Sequence, residues 1–111
     1  MSEEKYRVAM VPIKYISPSR NSDEEFSEES VKELAEDIKA YGQMHPIIVY
    51  KTGDNSYEIL SGEKRFRAVK YLQWKKAPCN IYENMSYREA KKECKAEKFD
   101  EKLYELEKEE N

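Results

Sequence analysis

A chain of 111 residues, 39% hydrophobic and 39% charged, has material for one domain with one modest core; its charge belongs on solvated helix faces and in the C-terminal tail. A net charge of −3 excludes a molecule drawn to DNA as a whole, so nucleic-acid contact requires a local basic patch against an acidic background. No apolar run approaches the roughly 18 residues that span a membrane, and Met1-Ser2-Glu3-Glu4-Lys5 is too polar for a secretory signal, so the expectation is a cytoplasmic protein with no membrane contact.

The elements follow in chain order. Val8 to Ile16 reads as a first strand, with Pro12 implying an edge position or a bulge. Ser17-Pro18-Ser19-Arg20-Asn21-Ser22 is a loop of turn formers. Ser27 then caps a helix, with Phe26 and Val31 placed to form a hydrophobic staple. Val31, Leu34, Ala35 and Ile38 recur at helical spacing, and Gly42 sits where a left-handed residue ends the helix. The acidic run Asp23, Glu24, Glu25, Glu28 and Glu29 complements the dipole at that helix start.

His45-Pro46 restarts the chain in extended form, because the residue before proline avoids the helical region. Ile47-Ile48-Val49-Tyr50 reads as a buried strand, Thr52-Gly53-Asp54-Asn55 as a turn, and Tyr57 to Leu60 as the second arm of a hairpin. Gly62 opens a second helix, with Phe66, Val69 and Leu72 inward, ending near Trp74. Pro78 begins a short last strand through Tyr82. Ser86-Tyr87-Arg88-Glu89 is a capping box for a third helix with a thin stripe of Tyr87, Ala90 and Cys94. Phe99, Leu103 and Leu106 continue the stripe after a break near Asp100, in a tail charged on its other faces. Cys79 and Cys94 lack CxxC spacing and read as reduced thiols.

Ser61-Gly62-Glu63-Lys64-Arg65-Phe66-Arg67 is where chemistry concentrates. A glycine at a strand-to-helix turn admits close approach of a ligand to the backbone. The helix start offers amide N–H groups and the positive end of a dipole. Arg65 and Arg67 add guanidinium forks suited to phosphate oxygens, and Ser61 adds a hydroxyl. Glu63 binds phosphate only through a metal, or else orients an arginine. The plainer reading is a turn glycine beside a solvated basic face. The spacing is not that of a Walker A loop. In the connection Gly42-Gln43-Met44-His45-Pro46, Gln43 and His45 either line the same ligand or simply join a helix stop to a strand start. His45 is the only histidine and has no companions at metal-ligand spacing, so no metal site is expected from the residues alone. The middle of the chain is basic, with Lys64, Arg65, Arg67, Lys70, Lys75 and Lys76.

The helix Val31 to Lys39, then Gly42-Gln43-Met44-His45-Pro46-Ile47-Ile48-Val49, then Tyr57-Glu58-Ile59-Leu60 leading into Ser61-Gly62-Glu63-Lys64-Arg65-Phe66-Arg67-Ala68, resembles the N-terminal domain of ParB partition proteins, the ParB-like nuclease or ParB/sulfiredoxin fold. The match covers about residues 8–82. It implies an α/β (mixed α+β) domain: a small mixed sheet flanked by helices, with residues 1–85 as the nucleotide-binding unit and 86–111 as a charged helical extension. It also implies a triphosphate, CTP in the partition proteins, held with Mg2+ by Gly62, Glu63, Lys64, Arg65 and Arg67, with Gly42, Gln43 and His45 on the pocket wall. Lys64 stands where the family usually carries arginine. Glu83-Asn84 with Arg88 resembles the family's E-N-x-x-R letters at a different spacing. The sulfiredoxin branch needs a cysteine in the Gly62–Arg67 turn, which has none.

The leading expectation is a nucleotide-binding, DNA-associated regulatory or plasmid-partition module that contacts DNA through its basic patch and a second copy or partner protein through its C-terminal helix. The alternatives are a nuclease or a nucleotide-dependent phosphotransferase, with Glu63 as its catalytic carboxylate, and an interaction module that has lost its ligand.

Overall fold

Pro12 cuts the expected first strand in two, and the halves go to opposite edges of one sheet. The computed structural model, which describes residues 5–20, 26–42 and 44–96, has β1 at Arg7–Pro12, a 3-10 turn at Ile13–Tyr15 and β2 at Ile16–Ser17. Proline has no N–H for a ladder, so the strand stops there, and the next amide, that of Ile13, donates to the Lys75 carbonyl at 2.9 Å. The single strand expected over residues 8–16 is thereby corrected. Its expected edge position holds.

Three more strands complete the sheet: β3 (Ile47–Gly53), β4 (Ser56–Ser61) and β5 (Lys76–Tyr82). Their order is β1-β5-β3-β4-β2. The β1/β5 and β3/β4 pairs are antiparallel, and β5/β3 and β4/β2 are parallel. The hairpin turn sits at Asp54 and Asn55, where Asn55 takes a positive φ of 55°. That is the second half of the expected turn, because β3 runs on through Gly53. In the central strand β3, Ile47, Ile48 and Val49 are almost wholly buried, as a strand covered on both faces requires.

Strand alternation divides the apolar residues between two layers. On one face, α1 (Glu28–Tyr41) and α2 (Glu63–Tyr71) bring Val31, Ala35, Ile38, Phe66 and Val69 onto Ile47, Val49, Ile59, Cys79 and Ile81. On the other, residues 87–96 form α3, and its Ala90 and Cys94 pack on Ile48 and Tyr82. The mixed α/β class expected from the sequence is the one observed.

The helix ends follow local rules. Ser27 Oγ accepts from the Ser30 amide at 3.1 Å, Phe26 packs against the core that holds Val31, and Glu28 and Glu29 occupy the first turn. Gly42 ends α1 at φ 72°, its amide donating to the Ile38 carbonyl at 2.8 Å. Ser86 Oγ accepts from the Glu89 amide at 3.1 Å and starts α3. The expectations placed on Asp23 to Glu25, Phe99, Asp100, Leu103 and Leu106 lie outside the described residues. Among the described residues no helix is long and apolar enough to cross a membrane.

Candidate phosphate-binding site

β4 delivers Ser61 to the sheet edge, 7% exposed, and the chain turns at Gly62 with φ 101° and ψ 26°. That left-handed conformation suits glycine, and it lets α2 begin at the next residue. Gly62 contributes no capping side chain, and its carbonyl accepts the first bond of α2, from the Phe66 amide at 2.9 Å. Glu63 is buried in the first turn, a favourable place for a carboxylate at a helix start.

The turn is half-buried, with the Arg65 side chain beside it. A Cβ on Gly62 would stand 3.4 Å from the Ile47 Cα and about 3.5 Å from the Arg65 guanidinium. Arg65 folds back over the glycine and donates from Nη1 to the Pro46 carbonyl at 2.8 Å. The connection before β3 and the start of α2 therefore meet at this bond. Exposed His45 lies on that connection beside Pro46, and Lys64 is half-buried.

Arg67 takes another direction, because two residues along a helix turn the side chain by about 200°. Its Nη2 lies 3.8 Å from Glu63 Oε2, and its guanidinium stands 5.3 Å from the centre of the Phe26 ring. The two forks therefore have different neighbours: Arg65 the Pro46 connection, Arg67 the start of α1. Gly42 is exposed, and an added Cβ there would meet nothing within 4 Å, so its glycine serves the helix end. Gln43 lies outside the described residues. Among those residues, no three His, Cys, Asp or Glu side chains converge on one point.

A polar cluster on the second face was not foreseen from the sequence. Arg20 Nε donates to both Glu58 oxygens, at 3.1 and 2.9 Å, and the Arg20 amide adds a third bond at 3.3 Å. The Arg20 guanidinium stacks 3.8 Å over the Tyr87 ring, which meets Tyr50 edge-on. Tyr50 Oη donates to the Met85 carbonyl at 2.8 Å. Burial pushes the Glu58 carboxyl up, but the hydrogen bonds and charge of Arg20 outweigh it and hold the group below the usual carboxylate range. The cluster ties the loop after β2 to β4 and α3. An acidic residue at a buried strand position was the available signal, but its partner stands 38 residues away. Glu83, in the stretch resembling E-N-x-x-R, is held by Arg7 at 2.8 Å and approached by Lys51 at 3.9 Å. Asn84 beside it takes φ 60°, so these letters form the turn into α3.

The family model for the ParB N-terminal domain matches residues 1–97. The chain belongs to the ParB N-terminal domain family. Among curated relatives, the nucleoid occlusion protein of Lysinibacillus sphaericus is 41% identical over 83 residues, which are 74% of this chain and 28% of that protein. The nucleoid occlusion protein of Bacillus licheniformis is 42% identical over 79 residues, 69% of this chain and 28% of its own length. The chain thus spans less than a third of each. Among solved structures, the chromosome-partitioning protein ParB of Caulobacter crescentus, C-terminally truncated and complexed with CTP-gamma-S, superposes with a TM-score of 0.66 at 25% identity, covering 78% of this chain and 49% of that one. Arabidopsis thaliana sulfiredoxin superposes with a TM-score of 0.60 at 26% identity, covering 70% and 86%. The ParB and sulfiredoxin likeness drawn from the sequence therefore holds for the fold over the superposed 70–78% of the chain.

Proposed function

We propose that this ParB-family domain binds a nucleoside triphosphate, CTP foremost, with Mg2+ at the Gly62 turn, and serves as the nucleotide-responsive part of a DNA-associated partition or nucleoid-occlusion protein. The observation that carries this reading is the junction itself. A glycine at a positive φ of 101° opens a helix, and an arginine is folded over it onto the neighbouring Pro46 connection. Such a junction suits an anion that must approach peptide nitrogens closely. The Caulobacter ParB complexed with CTP-gamma-S and the nucleoid occlusion relatives support the choice of ligand and setting.

In this reading the first-turn amides after Gly62 and the Ser61 hydroxyl bind phosphate oxygens. Lys64, Arg65 and Arg67 neutralise charge. Gly42, Gln43 and His45 form the wall toward the base or sugar. Glu63 orients Arg67 or helps hold Mg2+, whose role is to neutralise and organise the phosphate oxygens.

The test is a calorimetric titration of CTP with Mg2+, with ATP, GTP and UTP as comparisons. Saturable CTP binding that Arg65→Ala abolishes supports the reading. At a hundredfold excess over the dissociation constant, bound CTP adds about 2.7 kcal/mol of stability. No saturable binding of any triphosphate, or unchanged binding by a folded Arg65→Ala variant, overturns it.

A further inference from the structure

The far end of α2 carries a second concentration of positive charge. There the Trp74 amide donates to the Val69 carbonyl and the Gln73 amide to the Lys70 carbonyl, each at 3.0 Å. This is a Schellman closure around Gln73, at φ 62°. It turns the chain sharply and sets Trp74 at the rim of the core, with Lys75 and Lys76 next. Opposite them, the 3-10 turn after β1 presents Lys14 and Tyr15. The Ile13–Lys75 backbone bond and the Pro12–Lys76 register lock the two segments together.

Between them lies a cleft of about 560 Å³, lined by Lys14, Lys75 and Lys76 with the Tyr15 and Trp74 rings, and by no acidic residue. Among the described residues, none of the three lysines forms an ion pair with a carboxylate. Lys14 Nζ stands 5.3 Å from the centre of the Tyr15 ring. The nine-residue helix α2, about 13 Å long, separates this cleft from the Gly62 turn, with which it shares no lining residue.

Two half-buried rings flanked by ammonium groups that meet no carboxylate among the described residues match a ligand with flat π faces joined by phosphates. Duplex DNA hides its base faces in the stack, whereas a single strand offers them. The cleft volume lies within the range that takes a nucleotide-sized group. We infer that this cleft binds single-stranded nucleic acid, with one unpaired base against the Trp74–Tyr15 wall and its flanking phosphates on Lys14, Lys75 and Lys76. The inference rests on the nucleic-acid association proposed above and not on the Gly62 site.

Trp74 is the only tryptophan, so its fluorescence reports on this cleft alone. The experiment titrates the full chain with an oligothymidylate of about eight nucleotides, a usual site size for one small domain. Saturable quenching is expected, with affinity falling as salt rises at a log–log slope of about −2 for three phosphate contacts on a single strand. The double variant Lys75→Glu, Lys76→Glu is expected to bind at least about tenfold more weakly while its CTP titration is unchanged. Lys14→Glu, on the opposite wall, gives the same loss if the double variant does not fold. Oligonucleotide quenching without CTP binding upholds this cleft and removes only the Gly62 reading. Absence of saturable quenching at low salt, equal quenching in the folded lysine variants, or equal quenching by a blunt duplex of the same length overturns the inference.

Discussion

Arg65 Nη1 donates to the Pro46 carbonyl oxygen at 2.8 Å, so the side chain that guards the Gly62 turn also fastens the connection leading into β3. A guanidinium has five donors in a fixed fork, so holding a carbonyl is compatible with holding an anion. Lysine has charge but no fork. Arg65→Lys is therefore expected to retain most of the fold's stability and lose about tenfold or more in CTP affinity, whereas Arg65→Ala also loses about 1 kcal/mol of stability with the bond. Urea unfolding beside calorimetry separates the two effects. Full CTP affinity in Arg65→Lys would show that charge alone suffices there.

Gly42 and Gly62 both adopt positive φ, but their surroundings differ. An alanine Cβ at Gly42 meets open space, so Gly42→Ala is expected to cost only the left-handed strain, about 1–2 kcal/mol. At Gly62 the same methyl would only touch Ile47 and the Arg65 guanidinium at ordinary contact distance, but φ of 101° lies further from the left-handed minimum. Gly62→Ala should therefore cost more through backbone strain, and should weaken nucleotide binding by shifting the turn. Denaturant midpoints of the two variants provide the comparison. Equal costs would mean that the turn accommodates a methyl group.

Gln73 holds the left-handed position that closes α2, with no glycine to relieve it. Gln73→Gly removes the Cβ penalty and pays part of it back as unfolded-state entropy, so a net gain of about 0.5–1 kcal/mol is expected. Thermal melting measures it. A destabilised variant would indicate that the glutamine side chain has a role of its own.

What was legible in the sequence was local. Ser27, the Val31–Ile38 spacing and Gly42 specify α1 almost without tertiary help, and Ser86 does the same for the start of α3. The Ser61–Arg67 turn was legible because its parts are contiguous. The end of α2 was missed because Gln73 fills a position that usually signals itself with glycine. The return of Ile16 and Ser17 as a parallel edge beside β4 was missed because two residues carry no periodicity. The divergent directions of Arg65 and Arg67 follow from helix geometry, but their partners, Pro46 and Phe26, come from other elements. The Arg20–Glu58 pair was illegible because only the folded sheet brings the two together.

Cys79 is wholly buried in the first-face core, and burial pushes its thiol up to about 12. At pH 8 its thiolate fraction is then about one in ten thousand, and the thiolate is the reactive form. Cys94 is buried under α3. Neither thiol should react with Ellman's reagent on the timescale of minutes in the native protein, and both should react once it is unfolded in urea. Rapid native labelling of one thiol would place a local opening at its layer: the α1–α2 face for Cys79, the α3 face for Cys94.

Acid should unfold this domain partly through Glu58. Its carboxyl is held below the usual range in the folded state, where burial alone would raise it and Arg20 reverses the effect. In the unfolded chain it returns to about 4.3. The folded protein therefore binds this proton less readily than the unfolded one. The stabilisation is complete above the unfolded value and is lost as pH falls through the folded value. Glu83, lowered by the hydrogen bond and charge of Arg7, contributes in the same direction from the β1–β5 edge. Melting temperature should thus fall as pH drops below about 4.3, and Glu58→Gln should flatten part of that slope while lowering stability at neutral pH. Arg20→Ala should move the Glu58 titration upward, because burial then acts unopposed, so the loss begins at higher pH. A melting profile that keeps its full acid slope in Glu58→Gln would assign the slope to Glu83 and other carboxylates, and would reduce the Arg20 clamp to a packing contact on Tyr87.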